Sequence, residues 1–477
     1  MSASTAGPSN SRAATEPLGG RDLCTKENIS APIFASIGTV LVDCFDPVSR
    51  SNVASVTPTS TRPPSPTSDI LPSLRLLSLS VGKPSGGASG SITPQRSFSS
   101  DDTDPSSSLS LASCSSSATS HSEDEPLEVL GGGALYALIG ARIWLPANKC
   151  RTLVDTAEGR SDLGPDLEAE LEGYGPGCWG YQEGEGRRMI RARIRYEGTV
   201  RLYKHLVPPL PRPFSSLLST PIDGAQYLHI SPPYSPENVF QLLAEQRQVE
   251  AGSSAGKGSV GGSRTWRPKI VYEPTPQSCH VGQKDFLESI LPDLEILSPN
   301  HEELLSLYDR PLLPLSSPLL RPTLEEIITH NLQLGIGSDG SGAVVVRCGS
   351  LGSVVGTRKG GIKWVPAYWD EEEEWRVRGV TGGGNSYLGG FIAGLAASAG
   401  DPYEAALYGT VSASFVVEQI GLPRLSTITD SVSSDDKEED QGYRWNGEVP
   451  ELRLEKLRRR VAGEIMRDSP DVDLVEN

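Results

Sequence analysis

The first patterned stretch is "IFASIGTVLV", where apolar residues run almost unbroken from Ile33 to Val42. Such a run predicts a strand buried on both faces, as in a parallel sheet. Gly38 interrupts it and Asp43 ends it. "EVLGGGALYALIGARIWLP" leads from Gly131–Gly133 straight into an apolar run of helical length, a glycine-to-helix junction. "RMIRARIRYEGTVRLYKHL" alternates instead, with Ile190, Ala192, Ile194 and Tyr196 on one side and Arg191, Arg193 and Arg195 on the other. With its Glu-Gly turn it predicts a half-exposed hairpin, suited to a flap or lid. Further on, strands and helices alternate. "QYLHIS" precedes "PENVFQLLAEQRQVEA", "KIVYEPTP" precedes "GQKDFLESILPDL", and "LEILSPN" precedes "HEELLSLYD". "PTLEEIITHNLQLG" is followed by "GAVVVRCGSLGSVVG" and "IKWVPAYW". This alternation predicts a mostly parallel, doubly wound sheet, whose ligands bind beyond the strand carboxyl ends. Asp43, Asn300 and Gly349 all fall just after expected strands.

Composition divides this pattern into segments. Residues 1–30 read as a disordered leader and 31–48 as the first strand of the folded domain. The Ser/Pro/Thr-rich stretch 49–125 cannot bury enough apolar surface to offset its ordering entropy, so it reads as a disordered insertion with Ser-Pro phosphorylation sites. Its one apolar island, "ILPSLRLLSLSVG", reads as a docking segment or residual strand. Residues 126–425 carry the remainder of the domain, with a Gly/Ser linker inside it, "AGSSAGKGSVGGSRT". An acidic linker follows at 426–450. The tail, 451–477, predicts a basic amphipathic helix with Leu454, Leu457, Val461 and Ile465 at helical spacing, packed on the body or on a protein partner.

The 477 residues carry a formal net charge of −17, which argues against broad binding to nucleic acid or an anionic membrane. No run is long and apolar enough to span a bilayer, and the opening residues lack the apolar centre of a secretory signal. Seven cysteines without a C-x-x-C pair fit a reducing compartment, and a cytoplasmic location is expected. The histidines show no paired ligand spacing, so no structural zinc site is expected. "DEEEEW" at Asp370–Trp375 reads as a solvated charge run rather than a metal site.

The chemistry concentrates in "VTGGGNSYLGGFIAGLAASAG", Val380 to Gly400. Three glycines opening a helix suit an anion, because the helix N-terminus presents unpaired N–H groups and glycine lets a phosphate approach the backbone. Here this block and others, in order, resemble the PfkB, or ribokinase-like, carbohydrate and nucleoside kinases. The family motif runs approximately D-T-x-G-A-G-D-x-F-x-x-G-F. "GVTGGGNSYLGGF" fits it with Gly382, Gly383 and Gly384 as the anion hole and Tyr387 in the aromatic place. Both acids are missing: Gly379 stands for the leading Asp, and Asn385 for the catalytic base. The G-G-G-N form is similar to that of the fungal maintenance-of-killer-like branch.

The resemblance implies a three-layer α/β/α sandwich with a mostly parallel central sheet and a small β flap. It implies ATP and Mg²⁺, with nucleotide contacts from Asn300, Gly349 and Gly352 and a water-mediated Mg²⁺ contact from Glu303. Arg347 stands where Thr or Lys is usual. On the substrate side it implies a sugar or nucleoside held by Asp43, Gly132 and Gly133, although Tyr136 replaces the usual Asn. Flap hairpins of the family also pair copies, which implies a homodimer. An amide has no useful basicity near neutral pH, so two readings stand. One is an ATP-dependent kinase weakened at Asn385. The other is a pseudokinase that binds ligands or partners through its insertion and C-terminal helix, and a purely structural use of the fold is a third.

Overall fold

The computed structural model describes residues 31–45, 127–184, 186–197, 200–255, 266–427 and 442–468. The expected leader and Ser/Pro-rich insertion lie outside the described residues. In chain order the strands are β1 (Phe34–Ile37), β2 (Leu41–Phe45), β3 (Leu127–Gly131), β4 (Cys150–Thr156), β5 (Trp179–Glu183), β6 (Ile190–Glu197), β7 (Val200–His205) and β8 (Tyr227–Ile230). They continue with β9 (Lys269–Tyr272), β10 (Leu294–Leu297), β11 (Ala343–Arg347), β12 (Ser353–Thr357), β13 (Gly361–Val365), β14 (Leu425–Thr427) and β15 (Tyr443–Trp445). The helices are α1 (Gly133–Arg142), α2 (Pro165–Gly173), α3 (Pro236–Ala255), α4 (Lys284–Ile290), α5 (His301–Leu307), α6 (Leu320–Leu334), α7 (Gly383–Ala397), α8 (Pro402–Val416) and α9 (Pro450–Asp468).

Nine strands form one sheet in the order β13-β12-β11-β10-β9-β8-β1-β4-β5. From β11 to β5 every neighbouring pair is parallel, whereas β12 and β13 are antiparallel additions at one edge. Alternation along β11 shows the layering. Ala343 and Val345 join a core with α1, α7 and α8, while Val344 and Val346 join a second core with α4, α5 and α6. A sheet buried on both faces needs runs such as "AVVVR", which is why no polar alternation marks it. The architecture is the expected α/β/α sandwich.

The first apolar run departs from expectation. It is not one strand, and Asp43 does not end it. At Gly38, φ is 148°, and a Cβ there would lie 2.0 Å from Ser231 Oγ. The chain turns at that point, so β1 stays in the large sheet and β2 crosses to a second, four-stranded sheet of order β3-β2-β6-β7. Asp43 sits in the middle of β2, between Val129 and Ala192. The flap is thus larger than the expected β6-β7 hairpin.

Helices α1, α7 and α8 approach closely through small residues. A Cβ on Gly140 would meet Ser386 O at 2.0 Å, and one on Gly389 would meet Ala137 O at 1.8 Å. Helix α9 packs on the body. Leu454 and Leu457 are buried, and Arg453 is held by Glu448 at 2.7 Å and Glu418 at 3.0 Å. Within the stretch expected as an acidic linker, β14 and β15 pair antiparallel.

Candidate functional site

Parallel pairing aligns the carboxyl ends of the central strands. Ile37 pairs with Ile230, Ile230 with Tyr272, Tyr272 with Leu297, and Leu297 with Val344. The residues just beyond therefore meet along one edge of the sheet, under the N-terminus of α7. They include Glu273 after β9, Asn300 after β10 and Arg347 at the end of β11.

Asn385, in the first turn of α7, donates its side-chain amide to Glu273 Oε2 at 2.7 Å. The same oxygen lies 3.2 Å from His229 Nε2, and His229 Nδ1 lies 3.0 Å from Ser36 Oγ. The other Glu273 oxygen pairs with Arg347 Nη1 at 2.7 Å. Arg347 Nη2 is 3.5 Å from Glu303 Oε2 and donates to Ser298 O at 3.0 Å. A continuous chain of polar groups thus runs from Ser36 to Glu303. Ser36, His229, Glu273 and Glu303 are buried, the Glu273 and Glu303 side chains being 6% and 7% exposed, while Asn385 is half-buried.

The two acids on this one guanidinium titrate differently. Burial alone would raise Glu273, but Arg347, His229 and Asn385 together hold it below the usual carboxylate range. Glu303 has the more distant ion pair, and burial, opposed by Arg347, pushes it up to about 7. Burial would lower Arg347, but Glu273 and Glu303 outweigh it and keep the guanidinium charged.

Asn300 and Glu303 also form a reciprocal capping box at α5. Asn300 Oδ1 accepts from Glu303 N, and Glu303 Oε2 accepts from Asn300 N, each at 2.8 Å. Gly349 and Gly352 shape the tight turn from β11 to β12, with φ of 54° and 85°. A Cβ on Gly352 would lie 2.1 Å from Val365 O, so that turn needs glycine on packing grounds alone.

Gly382 takes φ of 79° as the N-cap of α7, with no side chain capping the helix. The glycines of this loop let the protein's own side chains close in. A Cβ on Gly382 would lie 2.3 Å from the Tyr136 ring, and one on Gly384 would lie 2.3 Å from Arg347 Nη1. On the substrate side, Gly133 approaches Asn385 Nδ2, which a Cβ would meet at 3.1 Å, while Gly131 approaches Asp43 Oδ2 at 3.0 Å on the same measure. The fold therefore brings Asn385, Gly382–Gly384, Gly133, Asn300 and Glu303 to one edge. It sets Asp43 in the flap beside Gly131.

A backbone loop at a helix N-terminus beside a guanidinium suits a phosphate group of a nucleotide such as ATP. A divalent metal does not fit. Glu303, the carboxylate expected to serve Mg²⁺, already accepts from Asn300 N and faces Arg347, and the other buried acid on that guanidinium, Glu273, is ion-paired to it. Sequence reading missed Glu273 and His229. The one available signal was a polar residue closing the apolar strand "KIVYE".

Residues 261–427, which include Glu273, Arg347 and the glycine loop, match the pfkB family carbohydrate kinase. This segment is similar to the pfkB family over about a third of the chain. It is similar to an uncharacterized protein of Schizosaccharomyces pombe, at 28% identity over 69% of this chain and 86% of that protein. It is also similar to the protein MAK32 of Saccharomyces cerevisiae, at 27% identity over 63% of this chain and 80% of that protein. Among solved structures, a ribokinase from Giardia lamblia matches with a TM-score of 0.46 at 16% identity, covering 63% of this chain and 86% of its own. A nucleoside kinase of Methanocaldococcus jannaschii matches with a TM-score of 0.45 at 14% identity, covering 90% of this chain and 100% of its own. Among the described residues, no helix is long and apolar enough to cross a membrane.

Proposed function

We propose that this chain is a pfkB-fold pseudokinase, a ligand-binding scaffold in which the phosphoryl-transfer centre is closed by its own charges. The carrying observation is the linkage Asn385–Glu273–Arg347–Glu303. Transfer to a hydroxyl needs a group free to accept a proton and a cation over the phosphates. The base position holds an amide, which has no useful basicity and whose nitrogen donates to Glu273, and the two acids share the Arg347 guanidinium.

A second reading has one observation in its favour, the 2.7 Å contact that places the Glu273 carboxylate beside Asn385. Glu273 would then accept the proton of a sugar or nucleoside hydroxyl held between Asp43 and Asn385. ATP would lie over Gly349, Gly352 and Gly382–Gly384. The depressed basicity of Glu273 and its ion pair with Arg347 count against this reading.

Labelled ATP offered with a panel of sugars and nucleosides separates the two. The pseudokinase reading expects no transfer by the wild-type chain. Transfer that falls about 10²- to 10⁴-fold in Glu273→Gln, the usual effect of losing a general base, would establish the second reading. Asn385→Asp adds a further check. In the pseudokinase it sets two carboxylates side by side and destabilises the fold without creating activity, whereas a kinase merely short of its base gains turnover.

A further inference from the structure

The least expected feature of the centre is a guanidinium wedged between two buried acids. Arg347 closes β11, and its neighbour Cys348 begins the turn to β12. Its Nη1 reaches Glu273 at 2.7 Å and its Nη2 lies 3.5 Å from Glu303. It also abuts the first turn of α7, where a Cβ on Gly384 would sit 2.3 Å from Nη1. The side chain is only 11% exposed, and its buried Nε has no hydrogen-bond partner among the described residues.

Two carboxylates at this depth repel each other and lose hydration, so they need a positive partner. A divalent ion with its water shell is one solution, since Mg²⁺ is commonly held by one or two carboxylates and several waters. A fixed guanidinium is another. It is planar, permanently charged, and presents its donors as a fork that serves two acceptors at once. The two solutions exclude each other, because the guanidinium occupies the space and neutralises the charge that would attract the ion.

We propose that Arg347 is a resident counter-ion standing in place of a divalent metal between Glu273 and Glu303. The centre holds no Mg²⁺ or Mn²⁺, and a phosphate ester at the Gly382–Gly384 loop is taken as the metal-free anion. The metal claim stands whether the chain proves to be a pseudokinase or a kinase.

Titration of the full chain with Mn²⁺, read by calorimetry or by the electron-spin signal of the free ion, tests it directly. The wild-type chain is expected to show no binding that depends on Glu303. Arg347→Ala is expected to gain affinity for Mn²⁺ by at least about tenfold, the scale on which metal sites respond to a single supporting group. The gain should vanish in Arg347→Ala combined with Glu303→Gln, and Arg347→Lys, which keeps the charge, should show none. Wild-type Mn²⁺ binding that Glu303→Gln abolishes would overturn the proposal, as would a folded Arg347→Ala chain that gains nothing. Should Arg347→Ala not fold, the wild type and Glu303→Gln decide alone, since Glu303-dependent binding refutes the proposal and its absence supports it. Titration with ATP in Mg²⁺ and in chelator reports separately. Equal affinity in both supports metal-free capture, and a requirement for Mg²⁺ refutes it. Failure to bind ATP at all removes the nucleotide part and leaves the Mn²⁺ result standing.

Discussion

Two glycine runs open helices in this chain, Gly131–Gly133 before α1 and Gly382–Gly384 before α7, and they do different work. At the first, Gly133 N donates to Thr39 Oγ1 and Ala134 N donates to Thr39 O, each at 3.0 Å. The helix end is sealed by the turn that carries the chain from the large sheet to the flap. At the second, no side chain caps the helix, and the glycines face the Tyr136 ring and the Arg347 guanidinium. The first run is constrained most tightly at Gly132, where backbone meets backbone. The other lets side chains crowd a helix N-terminus. A glycine run before a helix therefore does not by itself make an anion site, since the donors can be committed from elsewhere in the fold.

Substitutions can break this contrast. The largest effect is expected at Gly132, where φ is 108° and a Cβ would meet Thr39 O at 2.3 Å. Gly132→Ala combines an unfavourable backbone region with a clash against main chain that cannot swing away, costing about 3 kcal/mol in denaturant unfolding. Gly384→Ala meets only the tip of Arg347, so a smaller loss of about 1–2 kcal/mol is expected from overpacking. If the two variants prove equally unstable, the distinction between backbone and side-chain crowding fails. Thr39→Val should cost about 1 kcal/mol, the usual effect of losing a helix cap, and leave the chemistry around Asn385 untouched.

The most diagnostic effect is a pH dependence confined to the second region. Glu303 has an ordinary value of 4.5 and is raised to about 7 in the folded chain. Between those values the folded state binds the proton that the unfolded state has released, so this group costs stability as pH rises from 4.5 to about 7. Glu273, held low, acts oppositely and contributes stability above its unfolded value. Glu303→Gln should remove the decline in Tm across that window while the amide keeps the capping geometry of α5. An unchanged Tm profile would show that Glu303 titrates normally.

Much of the fold was legible because burial on both faces of a parallel sheet demands continuous apolar runs, and "AVVVR" and "YLHI" leave little choice. The flap hairpin was legible from alternation. The division of the first run at Gly38 was not, because a strand that changes sheets keeps the same apolar character on either side of its turn. Charge runs were similarly ambiguous. Asp370–Glu374 reads as solvated, yet Glu373 pairs with Lys456 of α9 at 3.3 Å, and Arg460 donates to Tyr368 O at 2.8 Å. The basic tail helix and the acidic loop answer each other across more than eighty residues of sequence, which no local window connects.

The sequence by itself determined the resemblance to the pfkB kinases, the order of the elements, and the presence of Asn385 where that resemblance expects a base. Those are local patterns, set by periodicity and by residue type at fixed spacing. Only the tertiary structure decided what the replacement means. Glu273 is 112 residues from Asn385 and Arg347 is 74 residues from Glu273; parallel strand register brings Glu273 and Arg347 together, and the packing of α7 over the strand ends adds Asn385. Neither the ion pair between strand ends nor the hydrogen bond from the helix leaves a trace in local spacing, because the energy depends on distance and burial in space rather than on separation along the chain.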